Sequence, residues 1–211
     1  MKTRLLIIGI VIVTVGLVSI QSHNDQLFGN SNAKTELPQQ DSGLMIPPGE
    51  KISQIPYVKQ IGSLSEIKNL KGYEVKLEKN LPEGYSVQYI ASSISEDDDF
   101  VNIFVSKEPV TDETTDMGFL FGGDGAIVTI TKFDPTVHTQ EYLYDRVAFF
   151  DPIPVKIFGQ EGYGNDITIR ETIEGYPTTS PAQLVFNHGD KHIVLIGMVP
   201  LDTLIEIAKS F

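Results

Sequence analysis

The sequence predicts an α+β domain with a curved, mostly antiparallel sheet and helices packed on one face, preceded by one N-terminal transmembrane helix. Three observations predict this class. Segments with the alternating pattern of strands far outnumber segments with helical periodicity. Most of these strands follow one another through short turns, which favours antiparallel hairpins. An uninterrupted hydrophobic run opens the chain.

The hydrophobic run extends from Leu5 to Ile20 and is preceded by Lys2 and Arg4. No charged residue follows it until Asp25. As a helix, the run spans roughly 24 Å, slightly less than the ~30 Å hydrocarbon core of a bilayer. The two basic side chains can reach the headgroups and relieve this mismatch. We therefore expect residues 1–22 to be a membrane anchor or a signal segment.

Three interpretations of this segment compete. A cleaved signal peptide shares the charged start and apolar middle, but it needs small residues at the cleavage site. The candidate pairs, Leu17 with Ser19 and Ile20 with Ser22, each place a bulky residue at one of these positions. An uncleaved anchor is preferred, and both interpretations place the remaining chain outside the cytoplasm. The third interpretation is a buried core helix of a cytoplasmic protein.

Residues 23–50 are rich in Gln, Asn, Ser, Gly and Pro and show no hydrophobic period. This composition predicts a flexible linker. Residues 51–211 form the predicted extracytoplasmic α+β domain. The length of this part is sufficient for one compact domain with its own core.

The chain is acidic, with a formal net charge of −12. Without Lys2 and Arg4, the 14 remaining basic residues face 28 acidic ones, a net charge of −14. Such a surface repels phosphate backbones, so nucleic acid is not an expected partner. Cysteine is absent, which excludes disulfides, zinc–thiolate sites, cysteine nucleophiles and a lipid-modified N-terminal cysteine.

The first half of the domain contains one short helix and several strands. Ser63 and Glu66 have the spacing of a capping box, and Gly72 is the expected helix end. The segments with strand character are 73–77, 85–95, 100–106 and 126–131. The second and third of these are predicted to form a hairpin whose tip carries the acidic run 96–99.

The second half opens with a predicted helix from Asp134–Pro135 to about residue 149, because Asp is a favoured N-cap and Pro a favoured first helical residue. Further strands are expected at 155–158, 166–173, 182–186 and 191–197, with a turn at 187–190 between the last two. The closing helix, 200–211, repeats apolar residues at helical spacing.

Two segments carry a resemblance to a known family. The segment 81–85 reads LPEGY, and 186–211 combines a strand, a turn, a strand ending in Gly197, and a helix ending in IAKSF. Both resemble an uncharacterised domain family of membrane-anchored extracytoplasmic proteins. That resemblance implies a fold like that of lipoprotein-carrier and sigma-regulator proteins, with a curved antiparallel sheet around helices. The family commonly has Trp where Phe186 is the nearest aromatic residue, and it supplies no functional residues.

The acidic run is the first candidate for a metal site. Asp97, Asp98 and Asp99, with Glu96, provide the oxygen ligands that Ca²⁺ prefers. Adjacent side chains cannot all converge on one ion, however, and the spacing of a known calcium loop is missing. A solvated hairpin tip is the preferred interpretation.

The second candidate is a histidine pair. His188 and His192 lie on either side of a tight turn and could share Cu²⁺ or Zn²⁺, although a further ligand would be needed. Polar turn residues are the preferred interpretation. The glycine-rich segment 159–164 lacks the full spacing of a dinucleotide fingerprint and the helix that should follow it.

These patterns favour a membrane-tethered extracytoplasmic binding or sensing module that is not an enzyme and uses no cofactor. The alternative is a carrier or binder of a lipid or other apolar ligand, because several aromatic residues could line a groove in a curved sheet. The expected partners are the membrane, through the N-terminal segment, and a protein or an apolar ligand.

Overall fold

The computed structural model describes residues 58–93, 99–111, 114, 119–120, 122, 124–148, 151–171 and 177–211. The predicted anchor and linker lie outside these residues. Ten strands are present in the described ranges: β1 Val58–Gln60, β2 Ser86–Ser93, β3 Phe100–Ser106, β4 Gly125–Lys132, β5 Ile153–Ile157, β6 Gln160–Asn165, β7 Thr168–Glu171, β8 Pro177–Ser180, β9 Ala182–His188 and β10 Lys191–Gly197.

Eight strands form one sheet in the order β1-β2-β3-β4-β10-β9-β6-β5, and β7 pairs with β8 in a separate ribbon. All of these ladders are antiparallel. A 3-10 turn at Leu64–Glu66 leads into helix α1, Ile67–Lys71, and two further helices are complete within the described ranges: α2 Gln140–Val147 and α3 Leu201–Ala208. This arrangement confirms an α+β domain built on a mostly antiparallel sheet.

Two tight turns set the register of the β5–β6 and β9–β10 hairpins. Phe158 and Gly159 both have positive φ, 51° and 78°, as a two-residue type I′ turn requires. In the β9–β10 turn only Gly189 has a positive φ, 60°, the pattern of a type II′ turn. Each turn places the residues on either side of it in a defined cross-strand pair.

The first face of the sheet holds the larger core and is covered by α3, α1 and the chain around Tyr73. Leu204 and Ile207 of α3 pack in the same cluster as Leu184 and Phe186 of β9, and all four are fully buried. Tyr73 donates its hydroxyl hydrogen to the Ile130 carbonyl at 3.1 Å. The burial of one side of α3 agrees with the amphipathic pattern that the sequence predicted for residues 200–211.

The second face is covered by α2 and by Phe119–Leu120. Leu143 and Val147 of α2 form a cluster with Val185 of β9. Val185 alternates with Leu184 and Phe186 along β9, so it points away from the α3 side. The expectation that the helices pack on one face was wrong, since α2 lies opposite α1 and α3. The two faces of the central strands are both apolar, and this permits cover on both sides.

Helix α2 begins later than the sequence predicted. Asp134 accepts hydrogen bonds at Oδ1 from the Thr136 amide at 2.9 Å and the Thr136 hydroxyl at 2.7 Å. Thr139 then has an extended backbone, with ψ 167°, and its hydroxyl accepts from the Tyr142 amide at 3.2 Å. Residues 134–138 thus form a separate turn, and Thr139 is the N-cap.

Other local predictions also needed correction. Ser63 Oγ donates to Glu66 Oε1 at 3.1 Å and makes no side-chain bond to the helix backbone, so the capping box does not form. In the segment 73–77, Tyr73 and Val75 are buried and the residue after each is exposed, as in a strand, but the segment joins no ladder. The sequence did not predict β6 and β8, because β6 is rich in Gly and β8 in Thr, Ser and Pro.

Candidate functional site: a histidine stack between α2 and the sheet

A group of polar and aromatic side chains lies on the second face, where the turn before α2 meets β9 and β10. The imidazole rings of His138 and His192 are stacked, with centroids 4.1 Å apart and planes 4° apart. Tyr142 contacts both rings edge to face, at 5.5 Å from each. Phe133 also stacks against His138, with ring centroids 6.0 Å apart. We refer to His138, His192 and Tyr142 as the histidine stack.

Asn187 joins the two histidines across the β9–β10 hairpin. Its Nδ2 donates to the His138 carbonyl oxygen at 2.8 Å, and its Oδ1 lies 2.8 Å from His192 Nδ1. Asn187 pairs directly with His192 in the ladder, so both side chains lie on the same face. Because Nδ2 is the donor to His138, the oxygen must be the acceptor, and His192 Nδ1 carries the proton.

His138 carries its proton on the other ring nitrogen. His138 Nδ1 accepts a hydrogen bond from the Asp134 amide at 2.9 Å. The neutral ring therefore has its N–H at Nε2. One imidazole presents Nδ1–H to Asn187 and the other presents Nδ1 to a backbone donor, so the two tautomers are fixed by different partners.

The surroundings keep both imidazoles neutral. Burial is the main cause that lowers the pKa of His192 to about 3, and the charges of His138 and Arg146 lower it further. Burial also lowers the pKa of His138, against the opposing effect of Asp134. Two imidazolium ions stacked at this distance would repel each other strongly in a partly desolvated site. The geometry therefore requires that at most one ring is charged.

Arg146 lies one helical turn after Tyr142 on α2. Its Nε is buried and has no hydrogen-bond partner among the described residues. The hydroxyl of Thr131 is likewise buried without a described partner. Thr131 is paired with His192 between β4 and β10, so it lies next to the histidine stack on the same face.

The candidate metal residues predicted from the sequence do not come together in the described part of the chain. Asp97 and Asp98 lie outside the described residues, and Asp99 lies 3.6 Å from the Lys71 ammonium. His188 pairs with Lys191 while His192 pairs with Asn187, so the two histidines point to opposite faces of the sheet. His188 instead packs against Phe158 at 4.4 Å. No group of three potential ligands is found among the described residues.

The sequence did not indicate the histidine stack. His138 and His192 are 54 positions apart in the chain, and no local pattern relates them. Only the contact between the turn at 134–138 and the β9–β10 hairpin brings them together. Asn187 carries the single local signal, because a residue directly opposite His192 in a hairpin is a natural hydrogen-bond partner.

Comparison with known proteins gives no further guide to the site. No family model, curated protein or solved structure matches the chain. The resemblance of 81–85 and 186–211 to an extracytoplasmic family thus stays a prediction. None of the helices in the described ranges is long and apolar enough to cross a membrane.

Proposed function

We propose that the chain is a membrane-tethered extracytoplasmic module that binds a partner or senses its surroundings, and that it performs no catalysis. The observation that carries this proposal is the hydrophobic run Leu5–Ile20, with Lys2 and Arg4 before it and a folded domain after it. A polar linker of this composition suits a domain held at a distance from a bilayer. The acidic charge of the domain suits solubility rather than adhesion to anionic lipid.

The histidine stack supports binding over catalysis. Asn187 orients His192 as it would a general base, but a histidine with a pKa of about 3 is a weak base near neutral pH. The hydroxyl of Thr131, which is paired with His192 across the ladder, is not hydrogen-bonded to it. A buried polar cluster with an arginine beside it is better suited to holding a ligand or to responding to one.

The topology can be tested by cysteine labelling, because the natural chain has no cysteine. Asn69→Cys places a thiol on an exposed position of α1, and Thr3→Cys places one before the hydrophobic run. In intact cells, a membrane-impermeant maleimide is expected to label N69C and not T3C. T3C should react only after permeabilisation.

Two results would contradict the proposed topology. One is protection of N69C until the cells are opened. The other is extraction of the unlabelled full chain from membranes by alkaline carbonate, which removes proteins that are not inserted. A chain whose first segment is cleaved would be shorter on a gel and would lack the T3C signal altogether.

The alternative function, a carrier of an apolar ligand, has less support. In the described part of the first face, side chains of α3 fill the space over β9 and β10, so a ligand there would have to displace them. A pocket of about 330 Å³ lies instead on the outer strands, between residues that include Lys156, Glu161 and Tyr163. Native mass spectrometry of the full chain in detergent would favour the carrier if an apolar molecule co-purified.

A further inference from the structure

Arg146 differs from the other partly buried cations of the described ranges, because no hydrogen-bond or ion-pair partner lies near it within those ranges. Lys71 and Arg170 lie near Asp99 and Asp151, at 3.6 and 4.0 Å. No carboxylate lies within such a distance of the Arg146 guanidinium among the described residues, although the domain is strongly acidic. Its Nε–H is buried and unsatisfied. A buried donor on a charged group is costly unless an acceptor is present.

A second unsatisfied group lies in the same part of the second face. Thr131 Oγ1 is buried without a described partner and is paired across the ladder with His192. Tyr142 connects the two sides of this region, since it contacts both imidazoles and precedes Arg146 by one turn on α2. The residues Arg146, Tyr142 and Thr131 are only partly buried, but Arg146 Nε and Thr131 Oγ1 themselves are buried, so a ligand reaches these two atoms only by entering between α2 and the sheet.

We propose that Arg146 and Thr131, beside the histidine stack, form a binding site for one carboxylate group of a small ligand. This inference rests on the proposed binding function and names the chemistry of its ligand. The guanidinium fork can donate two parallel hydrogen bonds to the two oxygens of a carboxylate. The Thr131 hydroxyl can donate a third hydrogen bond.

The charges around the site favour a carboxylate over a phosphate. Arg146 is the one cation of the group, because burial lowers the pKa values of both His138 and His192. A single cation balances a carboxylate, whereas a phosphate dianion would keep an excess negative charge in an acidic domain. Bound carboxylate would in turn raise the pKa of the two imidazoles, because an opposite charge favours their protonated form.

The test is a titration of the full chain in detergent with acetate and benzoate, followed by NMR of the histidine Cε1–H groups. Inorganic phosphate and chloride at matched ionic strength are the comparison anions. We expect a saturable shift of the His138 and His192 signals with the carboxylates. Arg146→Gln should weaken this binding by about tenfold or more, the usual effect of losing a charge-assisted hydrogen bond.

Arg170→Gln is the matched control, because it removes an arginine that lies near Asp151, on the separate β7–β8 ribbon. It should leave the dissociation constant unchanged. Thr131→Val keeps the shape of the side chain and removes only the hydroxyl, and it should weaken binding by several-fold. If R146Q does not fold, T131V and R146K provide the test. R146K keeps the positive charge but loses the two parallel N–H donors of the guanidinium, so it should also bind the carboxylates more weakly.

Three results would overturn the carboxylate site. They are the absence of a saturable shift in the wild type, equal affinity in the wild type and the foldable variants, and binding of phosphate as tight as that of the carboxylates. A failure here is distinguishable from a failure of the proposed function. The labelling of N69C tests where the domain lies, and it does not depend on any ligand.

Discussion

At the scale of single residues, the neutrality of His192 has a thermodynamic consequence. The folded protein holds the pKa of this buried imidazole at about 3, whereas an unfolded chain would restore it to about 6.5. A histidine whose pKa is lower in the folded state makes its full contribution to the free energy of unfolding only above the unfolded pKa. That contribution is lost as the pH falls from about 6.5 towards the folded pKa.

We therefore expect the free energy of unfolding to fall between about pH 6.5 and 5, by up to ~2 kcal/mol from His192. Most carboxylates remain ionised in this window, so their protonation contributes little. His192→Gln removes the titratable imidazole and keeps an amide that can donate a hydrogen bond to Asn187 Oδ1. Urea unfolding of the full chain at several pH values should show a flatter pH dependence for H192Q.

His188→Gln is the control for this prediction. His188 is paired with Lys191 on the opposite face of the sheet, so its replacement should preserve the wild-type loss of stability in acid. An H192Q protein whose stability falls as steeply as that of the wild type would show that the buried imidazole is not responsible.

At the scale of secondary-structure elements, α3 depends on a cap from a distant part of the chain. Asp166 Oδ1 accepts hydrogen bonds from the Leu201 amide at 3.2 Å and the Ile167 amide at 2.8 Å. The residue at the N-cap position itself, Pro200, makes no side-chain cap. A carboxylate at the start of a helix satisfies a free amide and interacts favourably with the helix dipole.

Asp166→Ala should accordingly destabilise the domain by about 1 kcal/mol, the usual loss for a helix cap. The measurement is the urea midpoint of the full chain near neutral pH, with far-ultraviolet circular dichroism to check the fold. Asp145→Ala, at an exposed position of α2, is the matched control and should change the midpoint little. Equal effects of the two substitutions would contradict a capping role for Asp166.

The elements also show why some local predictions failed. The amphipathic pattern predicted α3 correctly because that helix buries one side against a single face. Residues 134–138 carry good helix-start signals, yet the Asp134 side chain bonds Thr136 and the helix begins only after Thr139. The sequence did not predict strand β6 because glycine has a low strand propensity. In the structure, these glycines allow close packing against β9 and α3.

At the scale of the whole molecule, the packing includes close approaches to β6 that leave no room for a side chain larger than that of glycine. A Cβ on Gly162 would lie 2.6 Å from the Val185 carbonyl oxygen and 2.7 Å from Phe186 Cβ. A Cβ on Gly164 would lie 2.6 Å from Leu201 Cδ1 of α3. The missing side chains allow β6 to lie against β9 while α3 covers both strands.

Gly162→Ala is expected to destabilise the protein by about 1–3 kcal/mol, the cost of overpacking a core against atoms that cannot move aside. Gly62→Ala is the matched control. Its Cβ would meet only the Glu66 side chain, at 3.0 Å, and that exposed carboxylate can move. Thermal unfolding of both variants of the full chain checks the difference, and a G162A protein as stable as G62A would refute this packing argument.

Local sequence patterns were sufficient to predict the class of the domain and most of the central strands. Alternation and turn residues are local properties, so β2, β3, β4, β9 and β10 could be predicted from neighbours along the chain. The positions of α3 and of the helix end at Gly72 followed from local patterns for the same reason.

Which elements contact one another became visible only in the folded domain. Folding placed β10 between β4 and β9, put α2 on the face opposite α3, and stacked His138 on His192. These contacts depend on packing between segments far apart in sequence, and many pairings of similar strands satisfy the same local pattern. The histidine stack and the position of Arg146 beside it are products of that packing, so local patterns along the chain could not predict them.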